Sequence, residues 1–378
     1  MSGIYIHIPF CSKKCFYCDF YTNLSIKYKN DYLKTLIQEL KLRQSYLINT
    51  EVKTIYFGGG TPSLLSSPEI QMILDEIYAV FKVSRDAEIT LEANPDDLTE
   101  SYIKALKSTD INRLSVGLQS FFDDDLLLMN RRHNAKEIYS SIKLLQDIGY
   151  NNLSGDLIYG LPNSNIEKWQ HNIEEFFKLE INHLSAYHLT YEPNTVFSKY
   201  LKTGKIKEIK EDNSLQQFEI LKKETTKQGF IHYETSNFAK QGFFSKHNMA
   251  YWQQKPYLGL GVSAHSYNLK SRQYNIANLK KYMKGVGEGG HFFEKEELTA
   301  NDQYNDYLIT TLRTMWGTNL NYVKENFGQK YYSFIQKESE SFIEQKLLIK
   351  ENNILKTTAK GKFVEDMILE KLFIVGLD

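Results

Sequence analysis

The chain has 378 residues, with 46 Lys and Arg against 46 Asp and Glu and an aromatic content of 13%. That length can bury a large core and fits one large domain with a smaller one, and the balanced charge excludes a basic field pointing to nucleic acid as the main partner. No run of about 18 apolar residues occurs, residues 1–10 lack the basic flank and long apolar stretch of a signal peptide, and all three cysteines fall between positions 11 and 18, which excludes a disulfide framework and leads us to expect a soluble cytoplasmic protein.

In chain order, short β-branched or aromatic runs alternate with longer stretches whose apolar residues recur every three or four positions. Strands are expected over 4–8, 54–57, 88–92, 113–117, 154–159 and 183–189, and helices over 28–46, 68–81, 99–107, 135–148 and 166–177. Ser67 before Pro68 and Thr99 three residues before Tyr102 supply helix-start signals. Strands alternating with helices call for parallel pairing through right-handed crossovers. Six such units make an α/β fold, a partial (β/α)6 barrel that is TIM-like but open. Chemistry in parallel barrels gathers at the C-terminal strand ends. Here those ends carry Cys11 onward, Gly58-Gly59-Gly60-Thr61-Pro62, Glu92, Gln119 and Asp156.

After Thr190 the pattern changes. A basic connector is expected over 199–210, a helix over 213–228 and a strand over 230–233. From about 296 helices follow, then Leu347-Leu348-Ile349, a turn at Asn352-Asn353, and Ile354-Leu355-Lys356. Helices ending in a hairpin resemble a small winged-helix-like α+β module. The expected division is a barrel over 1–240, a connecting segment over 241–295 and the C-terminal module over 296–378.

Cys11, Cys15 and Cys18 can wrap three corners of a four-iron, four-sulfur cubane and leave the fourth iron open. The amino and carboxylate groups of S-adenosylmethionine (SAM) can chelate such an iron. Thiolates suit zinc as well, with His7 or Asp19 as fourth ligand, although structural zinc sites usually take ligand pairs from separate segments. Phe10, Phe16, Tyr17, Phe20 and Tyr21 surround the triad with rings that limit solvent access or simply pack the barrel mouth. The run Gly58 to Pro62 lets backbone approach a ligand closely, or makes a tight strand-to-helix turn, and it lacks the Gly-Lys-Ser/Thr ending of a phosphate loop. Glu92, Gln119, Arg131 and Asp156 offer charges and hydrogen bonds suited to a sulfonium cation carrying ribose and adenine. The 26 Tyr and 22 Phe suit flat apolar ligands and ordinary packing alike.

Tyr5-Ile6-His7-Ile8-Pro9-Phe10-Cys11, followed by Cys15 and Cys18, resembles the radical SAM superfamily. Within it, the chain is similar over nearly its whole length to the oxygen-independent coproporphyrinogen oxidases and their relatives, the HemW-type haem chaperones. The resemblance implies a 4Fe-4S cluster on the three cysteines and an electron donor to reduce it. It also implies SAM held by Tyr5, Tyr17, Gly59, Gly60, Thr61, Glu92, Gln119, Arg131 and Asp156, some of which contact a second SAM in the oxidase. Cleavage of SAM would give methionine and a 5′-deoxyadenosyl radical.

Two departures turn the reading from oxidase to chaperone. Phe20 stands where the oxidase has a further cysteine, and the chain starts ten residues before Cys11, without the oxidase's extra N-terminal segment. His247-Asn248-Met249-Ala250-Tyr251-Trp252 resembles the pattern associated with haem binding in the chaperones, with His265 a competing ligand. The same residues also read as a capped turn with a buried aromatic pair, while His7, His188 and His232 read as structural histidines. The expected function is therefore haem binding and transfer to acceptor proteins, membrane respiratory proteins among them, with a homodimer as a further expectation. Coproporphyrinogen oxidation is the enzymatic alternative, and radical modification of RNA or protein a third, suggested only by the winged-helix-like tail.

Overall fold

Six strands, β1 (Ser2–Ile8), β2 (Val52–Gly59), β3 (Val83–Ala93), β4 (Arg113–Gln119), β5 (Leu153–Tyr159) and β6 (His183–His188), lie side by side in chain order, each parallel to the next. They are seen in a computed structural model that describes residues 2–47 and 50–376. The crossovers carry α1 (Lys29–Leu42), α2 (Ser67–Val80), α3 (Glu100–Leu106), α4 (Asp123–Leu128), α5 (Ala135–Asp147) and α6 (Ile166–Lys178). Alternation along each strand sorts the side chains. Ile4, Ile6 and Ile8 are fully buried in one apolar cluster with Leu33, Leu36 and Leu40 of α1, whereas Gly3, Tyr5 and His7 face the concave side.

The expected strands and helices of this half are present with shifted ends, β3 starting five residues before the expected 88, and the short α4 adds a helix that the apolar spacing did not predict. Thr99 accepts the Tyr102 N–H at 3.3 Å as anticipated. The cap of α2 is Ser66 rather than Ser67, because Glu69 reaches back to the Ser66 N–H at 2.8 Å and completes a capping box one residue earlier.

Beyond β6 come α7 (Val196–Lys202), α8 (Glu211–Lys227), β7 (Ile231–His232), β8 (Asn237–Ala239) and α9 (Lys246–Trp252). Then follow β9 (Tyr257–Leu260), β10 (His265–Tyr267), β11 (Ser271–Asn275), α10 (Leu279–Gly287) and β12 (Phe293–Glu297). The expected basic connector therefore begins as the end of a helix, and the strand expected over 230–233 shrinks to two residues. On one side of the six, β8 and β7 add antiparallel to β6; on the other, β9 adds parallel to β1 and β10 to β12 continue antiparallel. Twelve strands thus make one open sheet.

Residues 241–295 consequently supply sheet rather than a mere connection. Their strands escape an apolar-pattern reading because the buried face of β10 and β11 is polar. Ser266, Gln273 and Asn275 bond the buried Arg43 and Glu39 of the α1 segment, at 3.2, 2.7 and 2.7 Å. The helix expected from about 296 starts only at Ala300, after β12, whose residues are mostly exposed.

The C-terminal module comprises α11 (Ala300–Leu312), β13 (Thr318–Asn319), α12 (Leu320–Phe327), α13 (Gln329–Glu344), β14 (Leu348–Glu351), β15 (Ile354–Thr357) and α14 (Glu365–Leu372). Its three strands, in the order β13-β15-β14, pack with the helices around their own core, including Tyr304, Leu308, Leu348 and Ile368. Asn352 and Asn353 turn the hairpin with φ of 49° and 60°, a left-handed pair that asparagine tolerates. The module ties two distant parts of the sheet together. Asp306 of α11 pairs with Arg272 of β11, and Thr314, just past α11, bridges Glu234 between β7 and β8. Among the described residues no helix is long and apolar enough to cross a membrane.

Candidate cofactor site

The concave face of the parallel strands is polar. Glu92 near the end of β3 accepts the Tyr56 hydroxyl at 2.8 Å and the Gly59 N–H at 3.1 Å. Asp156 on β5 accepts the Ser115 hydroxyl at 3.2 Å from each oxygen. Burial pushes the Glu92 carboxyl up to about 7 and that of Asp156 up to about 6. Two carboxyls buried without a paired cation hold their protons towards neutrality, and a cationic ligand would favour their charged forms.

The glycines do backbone work here. A Cβ on Gly60 would stand 2.8 Å from the carbonyl oxygens of Ile8 and Phe10, so β2 and the cysteine loop cross too closely for any side chain. Gly59 has a φ of +107°. A Cβ on Gly58 would meet the rings of Tyr5 and Tyr56 at 2.9 Å and Glu92 at 3.2 Å, which keeps this strip of the concave face low.

The cysteine loop closes over the strand ends. The Thr61 hydroxyl donates to the Cys11 sulfur at 3.4 Å, and the Cys18 N–H donates to the Cys15 carbonyl at 3.3 Å. Arg131 donates one terminal nitrogen to the Cys15 sulfur and the Tyr17 hydroxyl, both at 3.4 Å. Its other terminal nitrogen donates to the Asn94 side-chain oxygen at 2.5 Å and the Gly117 carbonyl at 2.8 Å, while its Nε is buried without a partner among the described residues. Burial raises the Cys11 thiol and pushes Cys18 up to about 12, so a metal must displace their protons to bind. Among the described residues no three His, Cys, Asp or Glu side chains gather around a point as one metal ion requires. Gln119 is buried in a left-handed conformation, φ 67°, where a Cβ on Gly117 would lie 2.8 Å from its amide nitrogen and 3.1 Å from Arg131. Soft thiols, an orphaned guanidinium N–H and two buried carboxyls on β3 and β5, both raised by burial, fit a thiolate-held cluster beside a cationic ligand.

Of the nine residues expected at the SAM site, Gly59, Gly60, Thr61, Glu92 and Gln119 lie at the ends of β2 to β4, Tyr5 and Asp156 stand inside β1 and β5, and Tyr17 and Arg131 come from loops, with Arg131 reaching Tyr17 and the Gly117 carbonyl. Two further members, Asn94 and Tyr56, were not singled out from the sequence. Asn94 lies two residues after Glu92 and Tyr56 two before Gly58, so the period-2 rule offered a signal for both. His7 behaves as a structural histidine, bonded to the Tyr5 hydroxyl at 3.1 Å and the Tyr21 carbonyl at 3.0 Å.

The haem candidates separate. His247 is buried, with its ring nitrogens bonded to the Thr54 hydroxyl and the Tyr251 hydroxyl, each at 2.8 Å, and burial holds it down to about 3. Its motif forms α9, capped by the Ser245 hydroxyl at 3.3 Å from the Asn248 N–H, and seals the inner face near the start of β2. Both nitrogens are thus unavailable to iron in this arrangement. Tyr251 and Trp252 are half-buried, and Tyr251 packs edge-on against Tyr257. His265 is exposed on β10.

The fold and sequence have known relatives. Residues 5–176 match the radical SAM superfamily. The chain is 34% identical to the haem chaperone HemW of Bacillus subtilis, over 96% of this chain and 97% of that one. It is 33% identical to the HemW of Lactococcus lactis, over 99% and 97% respectively. In three dimensions it superposes on the coproporphyrinogen III oxidase HemN of Escherichia coli with a TM-score of 0.86, covering 98% of this chain and 90% of that one at 24% identity, which shows a shared fold. Near full-length identity of this order places the chain, with its open α/β barrel and C-terminal module, in the HemW family of the radical SAM superfamily.

Proposed function

We propose that this chain is a haem chaperone: it carries a 4Fe-4S cluster on Cys11, Cys15 and Cys18, binds SAM beside it, binds haem, and passes haem to acceptor proteins. The observation that carries the proposal is the reach of the likeness to haem chaperones, 34% identity over 96% of this chain and 97% of the relative, whereas the likeness to the oxidase at 24% identity is one of fold. Phe20, where the resemblance expects a further cysteine in an oxidase, supports the same side.

Within the site, Gly58 and Gly59 keep the β2 end low enough for an amino acid to approach, and Thr61 and Arg131 hold the cysteine loop. Glu92 and Asp156 supply carboxylates for a cation or for hydroxyl groups, and Tyr5, Tyr17 and Gln119 border them. When bound, the reduced cluster and SAM together supply one-electron cleavage of a sulfonium bond. The protein's part is to orient these groups and exclude water. Three free thiols suit the reducing cytoplasm, where an electron donor and the acceptor proteins would be met.

The test is to reconstitute the protein with iron and sulfide, add haem and follow the Soret band, with coproporphyrinogen conversion measured in parallel. Stoichiometric haem uptake without conversion is expected. Conversion to protoporphyrinogen without haem uptake would overturn the proposal.

A further inference from the structure

The cysteine loop leaves the end of β1, where successive carbonyls accept from three different segments. The Pro9 carbonyl takes the Asn23 N–H of the loop itself at 2.6 Å, and the Ile8 carbonyl takes the Gly60 N–H at 2.8 Å. The His7 carbonyl takes the Tyr32 hydroxyl of α1 at 2.5 Å. The first two bonds join backbone to backbone, whereas the third depends on one side chain. Tyr32 is fully buried, and the ring of Phe10, the residue before Cys11, packs edge-on against it with centroids 5.4 Å apart at 86°.

Tyr32 is itself held from behind. Glu39 follows it on α1 by two helical turns and so shares its face. The Glu39 carboxyl is fully buried and accepts the Tyr282 hydroxyl at 2.5 Å, the Gly261 N–H at 2.7 Å and the Asn275 amide at 2.7 Å. Asn275 also donates to the Gly261 carbonyl at 2.7 Å, and the Val262 N–H donates to the Tyr32 hydroxyl at 3.3 Å. Gly261 has a φ of +100°, and a Cβ there would meet the Tyr32 hydroxyl and stand 2.8 Å from the His7 carbonyl oxygen. The turn after β9 is thus gripped by Glu39 and presses Tyr32 onto the end of β1.

Burial raises the Glu39 carboxyl, and Arg43 lies 3.5 Å from it. A buried ionic network of this kind adds little stability, since apolar side chains of similar volume often serve as well. What this one secures is the direction of a single hydroxyl. We propose that Tyr32 is a positioning residue for the iron–sulfur cluster, held by Glu39 and the Gly261 turn so that the end of β1 presents the cysteine loop in one arrangement. This rests on the cluster reading and extends it to a helix that carries no thiol.

The experiment compares the reconstituted parent with Tyr32→Phe, Tyr282→Phe and Tyr304→Phe. The last is the control: Tyr304 is equally buried, and its hydroxyl donates to the Leu372 carbonyl at 3.2 Å within the C-terminal module. Iron release to a chelator and the electron paramagnetic resonance spectrum of the reduced cluster are read, together with the melting temperature of each apo form. Tyr32→Phe and Tyr304→Phe should lower the melting temperature alike, each having lost one buried hydroxyl bond. Tyr32→Phe should release iron about tenfold faster and show an altered spectrum, in the range for groups that orient metal ligands. Tyr282→Phe should move both readings the same way by a smaller factor, and Tyr304→Phe should match the parent. Parent-like iron release and spectrum in Tyr32→Phe overturn the assignment, as does an equal loss in Tyr304→Phe. Should Tyr32→Phe not fold, Tyr282→Phe decides by the same two readings. A parent protein that takes up no cluster instead sinks the cluster reading on which the assignment stands.

Discussion

The imidazole of His247 lies against the ring of Tyr56, centroids 5.0 Å apart at 24°, and the Tyr56 hydroxyl in turn donates to Glu92. The His-Asn-x-x-Tyr-Trp helix therefore touches the expected SAM site through one intervening ring. His247→Ala would leave a cavity under Tyr56 and two hydroxyls, of Thr54 and Tyr251, without their partner. A loss of about 2–4 kcal/mol in denaturant unfolding is expected, together with several-fold weaker SAM binding. Unchanged stability would contradict this role.

Glu92 gives a pH dependence of definite sign. Its carboxyl stays protonated up to about 7 in the folded chain, against an ordinary 4.5, because it is buried. Between those values the folded state binds more protons than the unfolded one, so this residue's contribution falls as pH rises from 4.5 to 7 and is level above. Glu92→Gln should remove that part of the slope in thermal melts taken from pH 4.5 to 8. SAM, a cation, favours the carboxylate, so its affinity should rise through the same interval in the parent and lose that dependence in the variant.

Arg131 reaches the Cys15 sulfur, Tyr17, Asn94 and Gly117 from one planar group. A lysine keeps the charge but cannot span those four partners. Arg131→Lys is expected to bind SAM about tenfold more weakly in equilibrium dialysis and to hold less iron per chain after desalting. Parent-like values for both would show that the fork is dispensable.

None of the three thiols belongs to the main apolar core. Replacing Cys11, Cys15 and Cys18 together by serine should abolish the visible iron–sulfur absorption, while circular dichroism and the melting temperature stay close to those of the apo parent. Bound zinc in the reconstituted parent, measured by elemental analysis, would contradict the cluster assignment.

How much of this was legible from residues alone follows from where burial is apolar. The six parallel strands and their helices showed themselves because one face of each, such as Ile4, Ile6 and Ile8, packs an apolar core. The cysteine loop and the residues at the strand ends were legible by chemistry and position. The strands β10 and β11 were not, since Ser266, Gln273 and Asn275 fill their buried face and are satisfied by Arg43 and Glu39, a pairing more than 200 residues apart in the chain. In the sequence His247 leads the His-Asn-x-x-Tyr-Trp run and His265 is its competitor. Only the fold shows that the first is locked between Thr54 and Tyr251 and the second stands free.

Haem transfer tests the central claim most directly. Reconstituted protein loaded with one equivalent of haem is mixed with a haem-free acceptor protein, the two are separated, and the Soret absorption of each is read over time. A haem chaperone should bind the haem first and then lose it to the acceptor, with no coproporphyrinogen consumed in a parallel anaerobic reaction with SAM and reductant. A protein that never acquires the Soret band, yet turns coproporphyrinogen over in that parallel reaction, would contradict the account.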